Sequence, residues 1–222
     1  MATQLAAGRP SRRLLAAGLV AGPLFVAVAA GQMVARTGFD LARHPMSMLS
    51  VGDLGWIQIA NFVVGGVLAV AFAIGLGRAL GDGGRAATWG PRLIGLYGLG
   101  LIAGGVFPPD PALGFPPGTP EGIPSQMSWH ALLHAFAPPL AFLALVIACL
   151  IFARRFAGAG DRGWAAYSVV TAIAAFALSA TVTSVGLFAG VIVGWVWVSA
   201  LAWRFLRGEP ASVDVPANAD DG

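Results

Sequence analysis

Apolar runs of membrane-spanning length alternate along this chain with short turns that carry arginines. The hydrocarbon core of a bilayer is about 30 Å thick, and a helix of roughly 20 residues crosses it. Only 10% of the residues are charged, whereas soluble domains carry about 25%. The pattern predicts an all-α integral membrane protein, a single six-helix bundle. The predicted spans are about 14–34, 56–76, 91–107, 129–152, 164–182 and 187–205.

The arginines predict the orientation of the bundle. Six spans would put four segments on one side of the membrane: 1–13, 77–90, 153–163 and 204–222. Together with Arg92, at the edge of the third span, these segments hold 11 of the 13 arginines. The excess of basic residues on cytoplasmic loops predicts that both termini are cytoplasmic. Residues 1–13 would then be a cytoplasmic lead, and 208–222 an acidic, disordered cytoplasmic tail. Alternatively, the first run is a signal peptide cleaved after small residues.

Composition also indicates where the protein resides and what it contacts. Heavy use of Ala, Gly and Arg, with no lysine, suggests a GC-rich bacterial genome and therefore a bacterial plasma membrane protein. The arginines recur between apolar runs and form no single patch, so the bilayer is the predicted partner and nucleic acid is not. Cys149 is the single cysteine, which excludes an intramolecular disulfide.

The three histidines all fall on the predicted outer side, which makes this face the candidate site. His130 and His134 lie four residues apart at the start of the fourth run, so both imidazoles would project from one helix face. His44 lies in the loop after the first run. Catalytic zinc takes three protein ligands and a water, so these three histidines are candidate ligands of zinc.

Polar residues from the same loops are candidates for catalysis. Asp110 or Asp40 would polarise a water molecule, and Ser47 is a candidate nucleophile. Two other interpretations stay open. The histidines could instead hydrogen-bond loop carbonyls as a structural polar cluster, since Ala131 stands where the zinc protease motif has its glutamate. The cluster could also sense pH, because histidine titrates near neutrality.

Polar and small residues inside the runs predict how the helices pack. Gln58 and Asn61 lie within the second run and are expected to face the bundle, because polar groups are costly in lipid. Ser50 and Asp53 resemble a capping box before that run. Three glycines at four-residue spacing predict a close helix contact. They are Gly186, Gly190 and Gly194.

Several segments together resemble the domain of unknown function 998 family of bacterial and archaeal multi-pass membrane proteins. The likeness covers roughly residues 14–207 and implies a membrane protein without an assigned activity, with the first span retained. The segments are Asp40…His44-Pro45-x-Ser47-x-Leu49, Gly55-Trp56-x-Gln58-x-x-Asn61-Phe62, Gly105-Val106-Phe107-Pro108-x-Asp110-Pro111, Phe115-Pro116-Pro117-Gly118 and His130-x3-His134.

A looser likeness is to the alkaline-ceramidase and adiponectin-receptor membrane hydrolases, which place a Ser-x3-His, an Asp and a His-x3-His around zinc. The order His44, Asp110, His130-x3-His134 is similar, although Asp40 replaces the serine and six spans replace seven. This likeness implies a metal-assisted hydrolase of a lipid-like small molecule. The alternative is a non-enzymatic membrane protein, such as a small transporter, a sensor or a partner subunit.

Overall fold

Six long helices make up most of the part of the chain that the structure describes. The computed structural model describes residues 2–81 and 84–208, with side chains from residue 12 onward, and contains no strand within these ranges. A short 3₁₀ helix, Met46–Ser50, precedes the second long helix. The long helices are α1 (Ala2–Ala35), α2 (Gly55–Leu80), α3 (Gly84–Val106), α4 (Trp129–Gly158), α5 (Arg162–Ala180) and α6 (Ser184–Leu206).

Five of these helices are long and apolar enough to cross a membrane: α1 from Arg12 onward, α2, α4, α5 and α6. This supports the prediction of a helical membrane protein. The remaining helix, α3, has 23 residues and two arginines, Arg85 and Arg92, in its first half. The third span therefore stays a prediction, as does the orientation of the termini.

Consecutive helices pack side by side, and α1 packs against α6, so the six helices close into a ring. Gln32 near the end of α1 hydrogen-bonds Gln58 near the start of α2, which shows that these two helices are antiparallel. Large side chains fill the centre of the ring. Those with almost no exposure include Phe25, Phe72, Phe152, Trp195 and Trp197.

The alternation of helices gives the bundle two chemically different ends. One end, here called the arginine end, carries the connections α2–α3 and α4–α5; Arg204 there is 2.7 Å from the Asp161 carboxylate. The other, the histidine end, carries residues 36–54 and 107–128. These two segments pack on each other through Met48, Val51 and Phe115. Together they are called the loop cap below.

The polar residues of α2 and the glycines of α6 behave as predicted. Asn61 donates to the Phe25 carbonyl at 3.0 Å, and Gln58 is fully buried. A Cβ on Gly190 would lie 2.8 Å from the Ser179 hydroxyl oxygen, so the glycine stripe lets α5 approach α6. Both sets therefore face the bundle interior.

The helix starts differ from the predictions at two places. Pro91 lies inside α3, which begins at Gly84, because the polar-looking segment before it packs into the bundle: Ala86 and Gly90 are buried. The capping box is wrong. No side chain caps α2, whose N-cap is Leu54, and the Ser50 hydroxyl is buried without a partner among the described atoms.

The two ends of the chain complete the comparison with the predicted domains. Helix α1 begins at Ala2, so the predicted lead continues the first helix without a break. The predicted acidic tail, apart from Gly208, lies outside the described residues.

Candidate functional site

His44 is buried at the centre of the loop cap and uses both ring nitrogens. The Asp40 amide donates to Nδ1 at 2.9 Å, so Nδ1 carries no proton. Nε2 lies 3.0 Å from the Leu113 carbonyl and must therefore carry the proton and donate it. The ring packs between Phe39 and Phe115, at centroid distances of 5.5 and 5.4 Å. His44 thus joins the two segments of the cap.

Arg36 fastens the same cap to the end of α1. Its guanidinium donates to the carbonyls of Leu49 and Val51, at 3.1 and 2.7 Å, and lies 5.2 Å from the centroid of the Phe115 ring. Arg43 forms an exposed ion pair with Glu121 across the two segments. The cap is therefore a defined layer held by directional contacts.

Asp110 and His130 meet through Ser128, the N-cap of α4. The Asp110 carboxylate accepts from the Ser128 amide at 2.7 Å and from its hydroxyl at 2.6 Å. These two bonds lower the pKa of Asp110. The hydroxyl also accepts from the Ala131 amide. The same hydroxyl lies 3.0 Å from His130 Nδ1, so Ser128 bridges Asp110 and His130 while it caps α4.

The ring of His130 binds the chain that leaves α3. Nδ1 lies 3.0 Å from the Pro108 carbonyl, which can only accept, so Nδ1 is the donor. The other ring nitrogen, Nε2, has no hydrogen-bond partner among the described residues. His130 therefore belongs to the same network as Asp110, apart from His44.

His134 is buried one turn further along α4 and binds the end of α3. Nδ1 lies 3.1 Å from the Gly104 carbonyl and 2.7 Å from the Phe107 carbonyl. Both carbonyls only accept, so Nδ1 is protonated and a neutral ring leaves Nε2 as an acceptor. Gly104 belongs to the last turn of α3, where carbonyls lack intrahelical donors. His134 therefore caps α3 from another helix.

The predicted site residues consequently fall into separate groups. The Asp40 amide binds His44, Asp110 is linked to His130 through the Ser128 hydroxyl, and Ser47 lines a cavity with His134. Among the residues whose positions are described, no group of three His, Cys, Asp or Glu side chains is arranged to hold a metal ion. A donated Nδ1 proton is usual for histidines that bind metal through Nε2, but only His130 and His134 offer that nitrogen. The zinc site stays a prediction.

A cavity of about 650 Å³ lies beneath the loop cap, in the histidine-end half of the bundle. The cap contributes Pro45, Met46 and Ser47, and helices α2 to α6 contribute the walls. The walls are mainly apolar, with Phe142 and Val191 as examples. This volume lies within the roughly 300–1,000 Å³ of typical ligand pockets.

The cavity opens sideways between α4 and α5. Three exposed wall residues of α4 recur every four positions and so lie on one helix face, and an exposed pair on α5 does the same. This edge of the bundle therefore faces the surroundings of the helices, where lipid chains lie around a membrane protein. The residues are Ala135, Pro139 and Leu143 on α4, and Phe176 and Ala180 on α5.

Sequence reasoning missed the cavity and a buried polar residue on its wall, Tyr97. Tyr97 lines the wall and is 2% exposed, and no described atom pairs with its hydroxyl. An aromatic residue inside an apolar run is typical of a packed core, so periodicity does not mark it. The signal that was available is Pro138-Pro139 inside a span, because two missing N–H groups leave carbonyls of the preceding turn without their helix donors.

Comparison with known proteins gives a family but no characterised relative. A family model described as "Protein of unknown function (DUF998)" matches residues 19–204. No curated protein and no solved structure matches the chain. The matched range runs from the middle of α1 almost to the end of α6, and includes the loop cap and the cavity. The chain therefore belongs to the DUF998 family of proteins of unknown function.

Proposed function

We propose that this protein binds a lipid-like molecule that enters its cavity sideways from the bilayer. The observation that carries the proposal is the opening between α4 and α5, beneath the loop cap. The exposed wall residues there are apolar, for example Leu143 and Phe176. An acyl chain could move from the membrane into the cavity without crossing water, and burial of apolar surface contributes about 25 cal/mol per Å².

In this proposal the cavity belongs to the outer half of the membrane. Ten arginines whose side chains are described lie at the arginine end of the bundle, whereas the loop cap has two, Arg36 and Arg43. The ten are Arg12, Arg13, Arg78, Arg85, Arg92, Arg154, Arg155, Arg162, Arg204 and Arg207. The excess of positive residues on cytoplasmic loops would place the loop cap on the outer face. The molecule bound there would come from the outer leaflet.

Binding without chemistry is favoured over hydrolysis. Ser47 has no hydrogen bond to any described histidine, so no described residue supplies this serine with the base that a nucleophile needs. His44 uses both ring nitrogens within the cap. The metal-assisted hydrolase that uses His44, His130 and His134 remains the rival, and it requires stoichiometric metal in the purified protein.

Native mass spectrometry of the full chain in detergent would test lipid binding. The probe is an equimolar mixture of mono-oleoyl glycerol, methyl oleate and lyso-oleoyl phosphatidylglycerol. Val191→Trp places a large ring in the cavity, and Val196→Trp places it on the exposed face of the same helix. We expect an acyl-lipid adduct on the wild type and on Val196→Trp, and its loss from Val191→Trp. No adduct, or equal adducts on both variants, would refute the proposal.

A further inference from the structure

The cavity offers no counter-charge to a ligand. None of the described residues that line it is Asp, Glu or Arg. The two arginines of the loop cap are occupied elsewhere: Arg36 binds backbone carbonyls, and Arg43 pairs with Glu121. An ionised group taken out of water without a partner costs several kcal/mol. A lipid whose head enters this cavity is therefore most stable there when the head is uncharged.

The wall nevertheless carries hydrogen-bonding groups, and acceptors are prominent among them. His134 presents Nε2 as an acceptor, because its Nδ1 proton is already donated to carbonyls of the α3 end. The Ala135 carbonyl lacks its α-helical donor because Pro139, four residues on, has no N–H, and Pro138 at i+3 cannot replace it. Unpaired acceptors in an apolar surrounding are satisfied only by a ligand that brings donors, such as hydroxyl groups.

Tyr97 adds a hydrogen-bond donor that would pair with an acceptor on the ligand. Tyr97 contributes to the wall, and its hydroxyl oxygen is buried and has no partner among the described residues. A buried donor without a partner costs about 1–3 kcal/mol, which a bound oxygen would offset. Ser47, at the cap end of the cavity, has a hydroxyl that can donate or accept.

We infer that the cavity selects an uncharged acyl lipid whose head carries both hydroxyl donors and an oxygen acceptor, the chemistry of a monoacylglycerol. The inference rests on the proposed lipid binding and specifies its ligand. The hydroxyls of the head bind His134 Nε2 and the Ala135 carbonyl. An ester or hydroxyl oxygen accepts from Tyr97, and the acyl chain runs along the apolar wall towards the opening between α4 and α5.

Three lipids with the same oleoyl chain separate the contributions of the head. Mono-oleoyl glycerol has hydroxyls and no charge. Lyso-oleoyl phosphatidylglycerol keeps hydroxyls but adds a permanent negative charge, and methyl oleate has neither hydroxyl nor charge. Competition for the full chain, followed by native mass spectrometry, should favour mono-oleoyl glycerol over each of the other two by at least about tenfold.

Two variants test the individual hydrogen bonds. Tyr97→Phe should lower the affinity for mono-oleoyl glycerol about two- to tenfold, which is the effect of losing one neutral hydrogen bond. Tyr167→Phe is the matched control, because Tyr167 lies on α5 and does not line the cavity. Pro139→Ala returns an N–H to the Ala135 carbonyl. It should therefore lower the affinity for mono-oleoyl glycerol and leave the affinity for methyl oleate unchanged.

The outcomes distinguish this inference from the proposal beneath it. If none of the three lipids binds, lipid binding itself is refuted. If the charged lipid or methyl oleate binds as tightly as mono-oleoyl glycerol, lipid binding stands and the head selectivity is overturned. An unchanged affinity in Tyr97→Phe, with thermal unfolding showing an intact fold, would remove Tyr97 from the site.

Discussion

Replacing His44 by phenylalanine should destabilise the protein by about 2 kcal/mol while leaving its metal content unchanged. Phenylalanine keeps a ring between Phe39 and Phe115, so the aromatic packing survives. The two hydrogen bonds, to the Asp40 amide and the Leu113 carbonyl, are lost. Each contributes about 0.5–1.5 kcal/mol net, and the groups left behind are at least partly shielded from water.

Equilibrium unfolding in mixed detergent micelles, followed by far-ultraviolet circular dichroism, measures the change, and elemental analysis of the same samples measures metal. Arg43→Gln is the control, since it breaks a bond between the same two segments. That ion pair is exposed, so it should contribute at most about 1 kcal/mol. Stoichiometric metal that disappears in the His44→Phe protein would refute this reasoning and support the zinc site.

Three further outcomes are expected. Tyr97→Phe should raise the thermal unfolding temperature of the ligand-free protein, because it removes a buried hydroxyl without a partner that costs about 1–3 kcal/mol. Gly66→Ala should lower the free energy of chemical unfolding by about 1–3 kcal/mol, since its Cβ would meet the α3 backbone. Gly31 has open space around it, so Gly31→Ala should raise the free energy of unfolding by about 0.5–1 kcal/mol. Stability contributed by the lowered pKa of Asp110 is present above its ordinary pKa and lost as pH falls below it, so an acid titration should flatten in Asp110→Asn.

Hydropathy was sufficient for most of the fold, because each span has to satisfy its backbone within itself and present an apolar surface. It failed at the start of α3. The segment from Gly84 to Gly90 contains Thr88 and two glycines and resembles a turn. In the bundle, Gly90 lies against the ring of Phe152, where a Cβ would come within 2.7 Å. Tertiary packing makes this glycine useful inside a helix, and no local pattern encodes that.

The candidate site was less predictable than the fold, for a different physical reason. Grouping the histidines at one end needs only the alternation of the helices, which hydropathy supplies. Their partners are backbone carbonyls, such as those of Leu113 and Pro108, and no residue type marks a carbonyl in a sequence. Ser50 failed as a cap because it became the last residue of a 3₁₀ helix.

The four-residue spacing of the histidine pair has a structural cause that needs no metal. His130 and His134 donate to the carbonyls of Pro108 and Phe107, which are consecutive residues just beyond the end of α3. Side chains four positions apart on a helix are neighbours on its surface, about 5–6 Å apart, and consecutive Cα atoms are about 3.8 Å apart, so two long side chains can converge on both carbonyls. One face of α4 can therefore clamp two adjacent carbonyls. His134 also binds the Gly104 carbonyl in the last turn of α3. The same clamp fixes α3 against α4, and these two helices carry Tyr97 and the Ala135 carbonyl to the cavity wall. Loosening the clamp, as in His130→Ala, should therefore weaken mono-oleoyl glycerol binding although His130 does not line the cavity.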